Sequence, residues 1–286
     1  MDSDTPFDRS LRRLRRDRAA ASGGDSDYLL RRASDELLDR LEVVRREFRD
    51  ALVLGCGDET VPERLRARGL DVVAADPGGR LAARAMGVQC DEDRLPFADG
   101  AFDLVVSVGL LDSVIDLPGA LALIRRVLRP DGLFLGAFAG AGSLPRLRSA
   151  MHAAEEAEGA PASPRIHPQI DLRAAGDLLA RAGLALPVVD AETVTVRFGS
   201  LHRLVADLRG MGATNLVASR SKQPIGRLGL AAAIADFAAG AEDGKTAESF
   251  EIVYMIGWAP SPDQPKPARR GSATASLADA LKAKPR

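Results

Sequence analysis

Three apolar runs in this sequence end in groups that could bind a nucleoside. The stretch ALVLGCGDETVPERL, residues 51 to 65, passes from an apolar run through Gly55, Cys56 and Gly57 into a helical pattern. Such a turn offers backbone N–H groups and the positive end of a helix dipole to an electron-rich ligand. Asp76 closes the second run, 21 positions after Gly55, where a carboxylate can accept hydrogen bonds from both hydroxyls of a ribose. Asp91 follows a third, shorter strand that precedes the run at 102–107, and could accept from an adenine amino group, with Leu95 and Phe97 covering the base. Thr60 stands where a dinucleotide fingerprint needs its third glycine, so a pyrophosphate, which demands close backbone approach, is disfavoured.

A ligand with an adenosine at one end, a zwitterionic amino acid at the other and no phosphate tolerates that loss. S-adenosylmethionine has this form. Methyl transfer from its sulfonium is an in-line displacement, so proximity, alignment and exclusion of water carry most of the catalysis. Asp112, after the fourth apolar run, is the candidate base or acceptor-positioning group, with a plain helix cap as the competing reading. Oxygen chemistry would call for a flavin or a metal, and the simplest protein-only signature is two histidines with one carboxylate. His152, His167 and His202 are the three histidines and none sits in an HxD or HxE pairing, so no metal site is expected. Glu155, Glu156 and Glu158 form an acidic segment that could receive a guanidinium fork or simply face water.

The elements that must position these groups follow from the patterning. Short apolar runs at 51–54, 71–75, 102–107 and 132–138 alternate with helical patterns through Arg64, through Ala85 and over Ala120, Leu121, Ile124 and Val127. Alternating strands and helices predict a mostly parallel sheet with helices on both faces. Upstream, Leu30, Ala33, Leu37, Leu41 and Val44 recur at three- and four-residue steps and predict one amphipathic helix. Downstream, Leu144, Leu147, Met151 and Ala154 predict another, Asp171 and Gly183 bracket a third as cap and stop, and residues 200 to 240 read as mainly helical. LPVVDAETVTVRF and SFEIVYMIGWA read as late strands.

With 46% hydrophobic residues, 28% charged and a net charge of -1, nothing pulls the chain toward nucleic acid or an anionic membrane. The arginines between Arg9 and Arg18 alternate with aspartates and lack interleaved aromatic residues, which predicts a solvated, partner-touching arm. The longest apolar run falls far short of the ~20 residues of a membrane helix, so no span is expected. Two cysteines, Cys56 and Cys90, suggest no disulfide framework, and a cytoplasmic location is expected. Cys56 within the turn is expected to be a small buried residue. Beyond Pro260, six basic residues stand against two aspartates among prolines, which predicts a flexible tail ending in a weak helix.

The glycine turn, Asp76, DEDRLPF, FDLVVS and LRPDG together resemble the class I S-adenosylmethionine-dependent methyltransferases over residues 50 to 140. A narrower resemblance covers nearly the whole chain through FDRSLRRLRRDRAA, SLPRLRSAMHAAEEAEG, SPRIHP, DLRGMGATN, FEIVYMIGWAP and RRGSATASLADAL. These are similar to the bacterial relatives of the mitochondrial complex I assembly factor 5, a methyltransferase-fold family regarded as protein-arginine hydroxylases. The malonyl-carrier-protein O-methyltransferases look like more distant cousins. Val53 stands where the family has an acidic residue, Glu59 where it has a small one, and Asp112 and Ser113 where relatives have a His-Trp pair.

The expected fold is therefore α/β, a doubly wound, mostly parallel, Rossmann-like sheet with helical insertions forming a lid. A helical arm is expected over 1–48, the main domain over 49–258 with lid insertions at 141–170 and 199–245, and the tail over 259–286. The resemblance implies cofactor binding by Gly55, Cys56, Gly57, Asp76, Pro77, Asp91, Glu92 and Ser107. The implied function is modification of a protein partner during complex I assembly, by methyl transfer or arginine hydroxylation. A carboxyl or small-molecule O-methyltransferase is the alternative among enzymes, and a non-catalytic assembly chaperone the alternative from another class.

Overall fold

Valine- and leucine-rich runs can bury both faces only if helices cover the sheet from either side, and the chain folds accordingly. The computed structural model describes residues 5–22, 26–57, 59–159, 163–262 and 264. After α1 (Arg9–Ser22) and α2 (Tyr28–Glu42) come β1 (Asp50–Leu54), α3 (Thr60–Ala67), β2 (Asp71–Asp76), α4 (Gly79–Arg84) and β3 (Val88–Gln89). Next are β4 (Phe102–Val108), α5 (Leu117–Val127), β5 (Leu128–Ala139), α6 (Pro145–Glu158) and α7 (Leu172–Arg181). The described elements end with β6 (Ala185–Phe198), α8 (Leu201–Gly210), α9 (Arg227–Ala239), β7 (Ala241–Glu242) and β8 (Lys245–Trp258).

The sheet runs β3-β2-β1-β4-β5-β8-β6, with β7 paired to β8. β1 to β5 are parallel, and β8 is antiparallel to both β5 and β6. The strand order reverses between β1 and β4, which opens a crevice at the carboxyl end of the sheet. Register fixes what meets there: Leu54 pairs with Ala75 and with Ser107, so the ends of β1, β2 and β4 lie side by side.

Alternation along β1 sends Leu52 and Leu54 to one face and Ala51 and Val53 to the other. The first face packs under α5, where Leu121, Ile124 and Val127 meet Leu52, Val105 and Phe134. The second packs under α2, where Leu37, Leu38 and Leu41 meet Val53, Val106, Leu135 and Tyr254. The predicted stripe on α2 holds, except that the helix stops at Glu42 and Val44 packs on the same cluster from the chain beyond it. A third cluster joins α6, α8 and α9 through Leu147, Ala150, Leu204, Ala233 and Phe237, with Phe198 and Phe250 of the sheet beneath.

Asp171 caps α7 by accepting from the Ala174 N–H at 2.7 Å, and Gly183, at φ +77, ends the turn that follows. The predicted helical stretch of 200–240 divides into α8 and α9, because residues 211–226 contain Gly212 at φ +72, Pro224 and Gly226 and form no helix. Among the described residues no helix is long and apolar enough to cross a membrane. The predicted weak helix of the tail lies outside the described residues.

Candidate functional site

The glycine turn leaves β1 with Gly55 at φ +99, and the Gly55 N–H donates to the Ala75 carbonyl at 2.9 Å. That bend carries the next peptide toward the end of β2. There the Asp76 carboxylate accepts from the Cys56 N–H at 2.8 Å and, from its own side of the crevice, from the Gly78 N–H at 2.7 Å. Pro77 adds a second tie, its carbonyl accepting from Gln89 Nε2 at 2.9 Å. Asp76 is fully buried. Cys56 is buried too, and burial followed by the neighbouring Asp76 charge pushes its thiol up to about 12, so it is an inert packing residue.

The remaining partners of these carboxylates come from α1. Arg16 donates to Asp76 through Nε at 2.8 Å and Nη2 at 2.6 Å. Arg12 grips Glu92 at 2.7 and 2.9 Å and also donates to Ser113 Oγ and the Leu110 carbonyl. Arg9 pairs with Asp93 at 2.7 Å and with Asp91 at 2.8 Å, and Arg13 also holds Asp91. Arg9, Arg12, Arg13 and Arg16 recur at i, i+3, i+4 and i+7, so one helix face carries all four cations. Burial, the largest single influence, would lower the pKa of Arg16, but the Asp76 charge, the hydrogen bonds to it and the nearby Glu92 charge together raise it, and the guanidinium stays protonated. The expected solvated arm is thus replaced by an ion-paired helix, because the acids at the strand ends give these arginines partners.

Among the buried atoms without a partner in this neighbourhood are Arg13 Nε, beside Asp91, and two acceptors, Asp91 Oδ1 and Ser107 Oγ, on residues that are 2% and 0% exposed. Buried polar atoms without a partner are uncommon and point to a missing donor or ligand. These groups, the glycine turn and the Asp76 carboxylate suit the base, ribose and amino-acid end of S-adenosylmethionine. The space beside them is taken by side chains of the first two helices. A Cβ on Gly57 would meet Leu30 Cδ1 at 3.0 Å, and one on Gly109 would meet Leu30 Cδ2 at 2.5 Å.

Next to this crevice lies a cavity of about 530 Å³ between α2, α6 and α8. Its walls are mainly aliphatic, including Leu29, Leu147, Met151, Val205 and Ile252, and its floor reaches Gly109, Asp112 and Ser113 beyond β4. Asp112 therefore lines this cavity. Of the acidic segment, Glu156 and Glu158 are exposed, as the water-facing reading has it, while Glu155 is buried and accepts from the Ser163 N–H and Arg165 Nε; the acids lining the cavity are Asp112 and Glu251. Leu95 is buried in the main core and Phe97 packs edge-on to Phe102 at 5.3 Å between centroids, so both serve packing under α5.

His167 lines the same cavity and accepts from the Leu216 N–H at 2.6 Å through Nε2, with Phe7 edge-on at 5.4 Å. That nitrogen must be unprotonated to accept. Burial pushes the His167 pKa below its ordinary 6.5, against a smaller upward pull from Asp112 and the Thr214 carbonyl. The unfolded chain takes up a proton first on acidification, so this stabilisation is complete above about pH 6.5 and is lost as pH falls through the folded-state value. Thermal melts at pH 7.5 and pH 5.5 should show lower stability at the acid end. In His167→Gln, which keeps an acceptor for Leu216 but does not titrate, that part of the slope should vanish. His152 is exposed on α6 and His202 sits at the cavity margin on α8. Among the described residues no group of three or more His, Cys, Asp or Glu could hold a metal ion.

The structure brings Gly55, Cys56, Gly57, Asp76, Pro77 and Ser107 together at the ends of β1, β2 and β4, and links Asp91 and Glu92 to them through α1. The arginines of α1 were missed as site residues. Their helical spacing was the available signal, since four cations on one face demand four anions or water.

Comparison with known proteins agrees with this architecture. Residues 52–136 match the model of a family described as a methyltransferase domain. The chain is 38% identical to the zebrafish protein named arginine-hydroxylase NDUFAF5, mitochondrial, across 96% of this chain and 89% of that one. It is 35% identical to the human protein of the same name, across 96% and 82%. A malonyl-[acyl-carrier protein] O-methyltransferase of Laribacter hongkongensis is 31% identical across 89% and 90%. Among solved structures, the YcgJ protein of Bacillus subtilis superposes with a TM-score of 0.54 at 14% identity, covering 80% of this chain and 98% of that one, a likeness of fold.

Proposed function

Because the chain belongs to the family of class I S-adenosylmethionine-dependent methyltransferase-fold proteins that includes the arginine-hydroxylases NDUFAF5, we propose that it is an enzyme modifying a protein partner, a respiratory complex I subunit during assembly. The observation that carries this reading is the joining of Asp76 to the glycine turn through the Cys56 N–H, directly beside a cavity that ends at Asp112. In this reading Gly55, Cys56 and Gly57 let the amino-acid end of the cofactor approach the backbone, and Asp76 with Pro77 holds the ribose. Asp91 and Glu92 orient the base, and Ser107 offers its free hydroxyl at the end of β4. When bound, the cofactor supplies an electrophilic methyl group on a sulfonium. Asp112 orients the acceptor or takes its proton, while the aliphatic walls exclude water.

A second reading, an O-methyltransferase acting on a carboxyl or small molecule, is favoured by the aliphatic lining of the cavity. Calorimetry with S-adenosylmethionine and S-adenosylhomocysteine tests the cofactor, and saturable binding of both is expected. Binding of neither would turn the reading toward a non-catalytic assembly chaperone. Mass spectrometry of a co-expressed partner then separates the chemistries, since methylation adds a CH2 mass and hydroxylation an oxygen mass. An unmodified partner together with a methylated small acid would overturn the protein-modifying reading.

A further inference from the structure

Asp76 has no acceptor place left. A carboxylate offers about four lone-pair sites, and here they take the Cys56 N–H, the Gly78 N–H and two donors from Arg16. The two backbone donors belong to the turns that follow β1 and β2 and cannot leave without unfolding them. The other two come from a helix held in an unusual way. Only Arg12, Arg16 and Ala20 of α1 are buried, so its docking within the site rests on ion pairs more than on apolar packing. Asp91 differs, since Arg9 and Arg13 both engage its Oδ2 and leave Oδ1 open. With α1 in place Asp91 therefore keeps one free acceptor, buried beneath the helix, whereas Asp76 keeps none.

We propose that Arg16 is a built-in occupant of the ribose site, so that the nucleoside end of the cofactor enters only as Arg16 withdraws, two sugar hydroxyls replacing its two N–H donors on Asp76. This rests on the reading that S-adenosylmethionine binds at this crevice. The exchange is feasible because it trades hydrogen bonds one for one. Separating a buried ion pair without such a replacement is costly, because it leaves the carboxylate without its countercharge, so release of Arg16 is unfavourable until the sugar hydroxyls arrive. Apparent affinity is then reduced by the fraction of molecules in which α1 is released.

The test uses the full chain with S-adenosylhomocysteine as the probe. Arg16→Met, which keeps the stem but removes the donors, should tighten binding about tenfold or more relative to wild type. Arg18→Gln, at an exposed position on the same helix, should leave it unchanged. In wild type, amide hydrogen exchange over residues 12–20 should speed up on saturation with the probe. Equal or weaker binding by Arg16→Met, or α1 amides equally or better protected in the complex, would overturn the proposal and leave the cofactor reading standing. Absence of binding by both wild type and Arg16→Met would overturn both. If melting shows that Arg16→Met does not fold, the exchange measurement on wild type decides alone.

Discussion

Asp76→Ala is expected to abolish binding of S-adenosylhomocysteine and to destabilise the protein by about 3–5 kcal/mol, the usual cost of leaving one partner of a buried ion pair behind. The partner left is Arg16, a 6%-exposed residue whose guanidinium would lose both hydrogen bonds to the carboxylate. Two backbone N–H groups, on Cys56 and Gly78, would lose their acceptor as well. Loss of affinity should be at least about a hundredfold, since two hydrogen bonds to a charged acceptor contribute about 1.5–3 kcal/mol each. Urea unfolding and calorimetry measure the two effects separately. The double variant Asp76→Leu/Arg16→Met should regain most of the stability and none of the binding, because an apolar pair of similar volume often replaces a buried ion pair at little cost. Unimpaired binding by Asp76→Ala would remove this carboxylate from the cofactor site.

Gly55→Ala is expected to be nearly as disruptive, for a steric reason. A Cβ there would stand well inside 3.0 Å of the Val108 carbonyl oxygen, and 3.2 Å from the Leu110 side chain, in a backbone conformation at φ +99. The oxygen belongs to Val108, which ends β4 and is held by its pairing with Ala137 of β5, so it has little room to retreat. Strain and overpacking together should cost about 2–6 kcal/mol, read as a lowered denaturation midpoint. Gly69→Ala is the control, since φ is +86 but nothing lies within 4 Å, and only the conformational strain of about 1–2 kcal/mol remains. Equal losses in the two variants would show that crowding against β4 is not what requires Gly55.

The alternation of aliphatic runs with helical patterns was enough to anticipate the central sheet, and the cap at Asp171 and the stop at Gly183 were readable from residue type alone. The ends of α2 and the break between α8 and α9 were less legible. Stripe periodicity says which face is buried but not where a helix stops, and tertiary packing lets Val44 continue the stripe without the helix. Within the acidic segment at 155–158 only Glu155 departs from the water-facing reading, because in the folded chain it finds Arg165, a pairing that spacing does not encode.

By itself, the sequence determined the α/β architecture and the placement of Gly55, Asp76, Asp91 and Asp112 near strand ends, because side-chain periodicity and turn chemistry are local properties. It also contained the i, i+3, i+4, i+7 row of arginines. Only the tertiary structure decided that this row faces the acids at the carboxyl edge rather than water. That outcome depends on α1 and the ends of β2 and β3, 60 residues or more apart along the chain, meeting in space. Charge complementarity is a property of the pair and can be read only after both partners have been placed.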